Sequence, residues 1–133
     1  DLARTVLVGT PNRQAESLYA YILDGIHEIE NKIKPGVLVS EAFQTGMAAV
    51  RKGIPDYYRQ HVGHGIGLLI NDNPTINGST DTPFEENMVL CLETPYYLYD
   101  RFGIQVEYMV AVTKDGVRRL THTSDALMYI PAR

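Results

Sequence analysis

Leu18, Ile22, Ile26, Ile29 and Ile33 recur at steps of three and four residues. That spacing places them along one stripe of a helix, which must be buried against another layer. Thr10 followed by Pro11 reads as an N-cap with proline at the first helical position, and Lys34-Pro35-Gly36 reads as the stop. A second helix is expected from a cap at Ser40 to about Lys52-Gly53, with Ala42, Phe43, Met47, Ala48 and Val50 turned inward.

The rest of the chain has strand character. LARTVLVG predicts a strand over 2–8. IPDYYRQHVGHGIGLLINDNP is glycine-rich loop and strand, bounded by Asn73-Pro74, and NGSTDTPFEEN is polar turn sequence. MVLCLETPYYLY, IQVEYMVAVT and VRRLT predict three strands, the last two joined by a turn at Lys114-Asp115-Gly116. One strand, two helices and then a run of strands make an α+β domain over 1–133, with both helices on one face of a mainly antiparallel sheet. In the tail DALMYIPAR, the apolar residues from Ala126 to Ile130 are expected to pack on the sheet or to form a dimer contact.

Composition narrows the function. Of 133 residues, 44% are hydrophobic and 21% charged, which suits a folded domain rather than a disordered one. A net charge of −4 without a run of Lys or Arg argues against nucleic acid as a partner. No apolar stretch is long enough to span a membrane as a helix, and no signal peptide is visible, so a cytoplasmic protein is expected. The one cysteine, Cys91, lies in an apolar run and reads as a buried structural thiol of a reducing compartment. The chain opens on Asp1 inside an apolar strand, so further residues are expected to precede it.

Four side chains suggest chemistry: Asp1, His64, Glu93 and Glu107. Hard divalent cations take carboxylate oxygen, and borderline ones add imidazole nitrogen. A carboxylate inside an apolar strand costs several kcal/mol to bury unless it is paired or bound to metal. Glu93 in VLCLETPYY and Glu107 in IQVEYMVAV are both in that position. Alternation puts Cys91, Glu93 and Pro95 on one side of the strand and Leu90, Leu92 and Thr94 on the other. If the two strands pair, both glutamates can project from one face; the bland alternative is a polar outer face. His64 is flanked by Gly63, Gly65 and Gly67, where glycine permits close backbone approach and positive φ. His61 can help bind substrate or orient a ligand. His27 and His122 carry no such context and read as ordinary surface or hydrogen-bonded histidines.

In order along the chain, DLARTVLVG, KPGV, GHGIGL, MVLCLETPYY and GIQVEYMVAVTKDG resemble segments of the pita-bread metallopeptidases, the prolidase, Xaa-Pro aminopeptidase, methionine aminopeptidase and creatinase-like family. The resemblance implies the C-terminal part of a curved pita-bread catalytic domain. It implies two divalent ions (Mn²⁺, Co²⁺, Zn²⁺ or Fe²⁺), with Asp1 and Glu107 bridging and His64 and Glu93 each binding one. Such ions activate water, polarise the scissile carbonyl and stabilise the tetrahedral intermediate. Glu93 would double as proton shuttle, with His61 and Asn71 as further catalytic candidates. The implied substrate is a small peptide, an Xaa-Pro bond first, and the implied full-length assembly is a homodimer.

Three positions depart from the family pattern. The partner aspartate lies upstream of Asp1, so this stretch alone is expected to bind metal poorly and to be nearly inactive. Asn71 stands where peptidase members carry a histidine; it can donate to an oxyanion but cannot shuttle a proton. Gln105 stands where prolidases often carry arginine. Asn71 opens a second reading, a non-peptidase C–N hydrolase of creatinase or ectoine-hydrolase type. A third is a binding domain of the same fold without catalysis, which would have no need of four such donors.

Overall fold

The computed structural model describes residues 1–132. Helix α1 spans Arg13–Lys32 and α2 spans Val39–Arg51. A five-stranded antiparallel sheet carries the site, in the order β3 (Asp72–Thr75), β2 (Gly63–Gly65), β4 (Val89–Glu93), β7 (Glu107–Thr113), β8 (Gly116–Arg119). Two small sheets flank it: a hairpin of β5 (Tyr96–Leu98) with β6 (Phe102–Ile104), and a parallel pair of β1 (Val6–Val8) with β9 (Met128–Ile130).

The expected stripe of α1 is buried at Ile22, Ile26, Ile29 and Ile33, with Tyr19 added and Leu18 half-covered. Its cap is Asn12 rather than Thr10. The Asn12 carboxamide oxygen accepts from the backbone N–H of Gln14 and Ala15, satisfying two donors that Thr10 would be too far back to reach. Helix α2 begins at Val39, so Ser40 lies inside it and no side chain caps it. Instead the N–H groups of Val39 and Ser40 donate to the Thr82 and Thr80 carbonyls, so a distant loop takes over the cap. Val39, Ala42, Met47, Ala49 and Val50 of α2 are buried. Ala48, expected inward, is exposed because it lies off the stripe of Ala42, Gly46, Ala49 and Val50, and Ala49 is buried instead.

Two predicted strands are each divided. MVLCLETPYYLY breaks at Thr94-Pro95, where proline has no N–H for the ladder and the Thr94 hydroxyl donates to the Ile22 carbonyl of α1. IQVEYMVAVT breaks at Gln105-Val106, where the Thr5 hydroxyl takes both backbone bonds of Gln105. The last turn is tighter than expected: Thr113 pairs with Gly116, leaving Lys114-Asp115 as the loop. The strand expected over 2–8 is regular only at β1, with Ala3 bridging separately to Glu107. The apolar tail becomes β9, laid parallel to β1 with its three residues exposed.

The core lies between the helices and one face of the large sheet. Leu90, Leu92, Tyr108, Val110 and Val112 point into it and meet Ile22, Ile26, Met47 and Val50. Strand alternation therefore commits Cys91, Glu93, Glu107 and Met109 to the opposite face.

Candidate metal centre

Register builds this face. Across β4 and β7, Glu93 stands directly opposite Glu107 and Cys91 opposite Met109; across β2 and β4, His64 stands opposite Cys91. Opposed residues of an antiparallel pair share a face, so the histidine, the thiol and both glutamates project together. Ala3 pairs antiparallel with Glu107, exchanging two backbone hydrogen bonds of 3.2 and 3.0 Å. Two residues before Ala3, Asp1 is brought to the same face beside Met109.

Glycine makes the approach of β2 possible. A Cβ on Gly63 would lie 2.3 Å from the Cys91 carbonyl oxygen, and Gly63 has φ of 154°. A Cβ on Gly65 would lie 2.2 Å from the Asn73 carbonyl oxygen. Both obstacles are backbone, so neither can step aside, and His64 is held between two strands that only glycine neighbours admit. His64 is 7% exposed. Its Nδ1 sits 3.0 Å from the Gly65 carbonyl, which selects the tautomer with the proton on Nδ1 and leaves the Nε2 lone pair free. Nε2 faces Asp1 Oδ2 at 3.7 Å, beyond hydrogen-bond length.

One donor atom each from Asp1, His64 and Cys91 lie within 4.8 Å of one another. Glu107 adjoins them: its Oε1 accepts from the Cys91 thiol at 3.2 Å, and its Oε2 accepts from the Gln105 carboxamide at 2.8 Å. Glu93, though opposite Glu107, turns toward His61, whose Nδ1 is 3.3 Å from Glu93 Oε1 without the alignment of a hydrogen bond. His61 and His64 have ring centroids 6.5 Å apart. Tyr58, Arg59, Gln60 and His61 line an adjoining cavity of about 250 Å³, with the Arg59 Nε buried and without a hydrogen-bond partner. Asn71 is exposed in the loop between β2 and β3, one residue before Asp72, which pairs with Gly65. Tyr57 is core and tilts against Tyr96, whereas Tyr58 lines the cavity and Tyr97 donates to Gln105.

The donors suit a divalent cation: two carboxylates, an imidazole with a free lone pair and a thiol, all on one face with few other partners. Cys91 is buried, as expected, and its thiol also stands beside these donors. The signal was available, since strand parity puts Cys91 and Glu93 on the same side.

The profile of metallopeptidase family M24 matches residues 1–114. The Xaa-Pro dipeptidase of Pyrococcus furiosus is 31% identical over 129 residues, covering 96% of this chain and 37% of that protein. Among solved structures, the prolidase of Pyrococcus horikoshii superposes with a TM-score of 0.90 at 29% identity, over 96% of this chain and 37% of that one. Dipeptidase PepE of Mycobacterium ulcerans gives 0.94 at 25% identity, over 99% and 36%. The chain therefore belongs to metallopeptidase family M24 and has the α+β architecture of part of the pita-bread fold. It spans a little over a third of the length of these relatives.

Proposed function

We propose that this chain is the metal-bearing part of a hydrolase that cleaves Xaa-Pro dipeptides or removes an N-terminal residue ahead of proline. The observation that carries the reading is the projection of Asp1, His64, Glu93 and Glu107 from one sheet face in a member of family M24. Asp1, His64, Glu93 and Glu107 would hold two divalent cations, of which Mn²⁺, Co²⁺, Zn²⁺ and Fe²⁺ are candidates. Bound there, the cations would supply Lewis-acid polarisation of the scissile carbonyl and a lowered pKa for the attacking water.

The chain's own residues do the rest. The Gly65 carbonyl fixes the His64 ring so that Nε2 faces the site. Glu93, half-buried beside His61, takes the proton of the attacking water and delivers it to the leaving amine. Arg59, with His61 in the adjoining cavity, offers a cation for a substrate carboxylate. The Asn71 carboxamide can donate to the developing oxyanion but holds no proton to transfer.

Asn71 also supports a second reading, a C–N hydrolase of the same fold acting on a small non-peptide amide or amidine. The discriminating experiment uses the longer protein that carries this chain, reconstituted with Mn²⁺ or Co²⁺ and assayed on Xaa-Pro dipeptides and on cyclic amidines. Dipeptide cleavage with about two metal equivalents per chain is expected. Turnover confined to the amidines would move the assignment to the second reading. Absence of bound metal near neutral pH would end both in favour of a binding domain.

A further inference from the structure

We propose that Cys91 is itself a donor of the metal centre, so that this chain offers a mixed oxygen, nitrogen and sulfur set favouring Zn²⁺ or Co²⁺ over Mn²⁺. The inference rests on the metal-centre reading above and adds a ligand to it.

A structural thiol on β4 belongs on the Leu90 and Leu92 side, among the helices. Cys91 points the other way, opposite His64 on one neighbouring strand and Met109 on the other. It is fully buried, so solvent does not explain its orientation. Its sulfur, a His64 ring nitrogen and an Asp1 oxygen all fall within 4.8 Å of one another. Donors about 2.0–2.3 Å from a shared Zn²⁺ lie roughly 3.3–3.8 Å apart across a tetrahedral angle, so movements of about 1 Å close the set. The His64 and Asp1 atoms are already 3.7 Å apart.

His64 is aimed at the same group. More than nine-tenths buried, it keeps Nδ1 on the Gly65 carbonyl and aims an Nε2 without a hydrogen bond into the same group. Without a cation the Cys91 thiol donates to Glu107 Oε1 at 3.2 Å. On coordination the S–H bond breaks, a metal–sulfur bond forms and the proton leaves to solvent, as metal binding to thiols requires. Sulfur is a soft donor, which selects zinc and cobalt over the harder manganese.

The test is an anaerobic titration of the metal-free longer protein with Co²⁺, beside Cys91→Ser and Cys91→Ala. The wild type should show the visible bands of bound cobalt and an intense near-ultraviolet thiolate-to-cobalt band. Both variants should lose the ultraviolet band and keep the visible ones, while Zn²⁺ affinity falls by about tenfold or more and Mn²⁺ affinity changes little. Should both variants misfold, cobalt X-ray absorption of the wild type decides by the presence of a sulfur neighbour. Cobalt bound without the ultraviolet band or a sulfur neighbour overturns this inference and leaves the metal-centre reading intact. A protein that binds no cobalt overturns both.

Discussion

Arg119 ties together parts of the chain that are far apart in sequence. Its guanidinium donates to Glu30 of α1 at 2.8 and 2.6 Å and to Asp125 of the tail at 2.5 Å, and it lies over the Tyr108 ring at 4.1 Å. Asp125 also takes Arg4 at 3.1 Å and His27 at 3.0 Å, so His27 is a network member rather than a free surface group. Burial raises the pKa of Glu30 and of Asp125, but hydrogen bonds from Arg119 with Tyr108, and from Arg119 with His27, outweigh it, and both carboxyls end below their ordinary values. Replacing Arg119 by Met keeps the stem over the ring and removes the charge. The pair is only partly buried, so the loss should be about 2 kcal/mol, between the values for exposed and fully buried pairs. A depressed carboxyl pKa stabilises the fold above the unfolded value, near pH 4, and that contribution fades as pH falls through the folded value. Urea unfolding of Arg119→Met should therefore show its full deficit at neutral pH, a shrinking one as pH falls below about 4, and convergence on the wild type only below the depressed folded values. An equal deficit at all pH values would assign the effect to lost packing.

Helix α1 meets α2 where each carries a glycine. A Cβ on Gly25 would lie 2.2 Å from Val50 Cγ2, and one on Gly46 would lie 2.3 Å from Ile29 Cγ1. Ridge residues of each helix thus fill the notch left by the other's glycine, which brings the two backbones close. Gly25→Ala should cost about 2 kcal/mol by overpacking, despite the better helix propensity of alanine. Because the clash is with one methyl group, Val50→Ala should relieve it. In denaturant melts the double variant should be more stable than the sum of the single losses by about 1 kcal/mol. Strict additivity would mean that the helices part instead of clashing at Val50.

Among the described residues, apolar surface stays open at several places, the β1–β9 pair and the loop after β2 among them. Val8, Met128 and Ile130 are exposed on the β1–β9 pair, as are Leu68, Leu69 and Ile70 in the loop after β2. The chain also spans only about 37% of the relatives it matches. The family resemblance implies one further carboxylate, which a longer protein would have to supply. The 133-residue chain alone should then bind Mn²⁺ or Co²⁺ about 10–100-fold more weakly than a longer protein that includes that segment, and should show little peptidase activity. Equilibrium dialysis of the two checks this, and equal affinities would show that the donors present here suffice.

Much of this was legible along the chain, because local spacing carries it. The three- and four-residue steps of the isoleucines determined α1 and its buried stripe, and strand alternation determined that Cys91 and Glu93 share a side. The ordered motifs from Asp1 to Gly116 pointed to the family. What spacing could not carry was anything resting on a partner distant in sequence. The cap of α2 comes from the Thr80 and Thr82 carbonyls, the break before Glu107 from the Thr5 hydroxyl, and the seat of Asp1 from the Ala3–Glu107 bridge. The thiol of Cys91 became a candidate donor for the same reason: strand register, which side-chain periodicity alone does not set, put His64 opposite it.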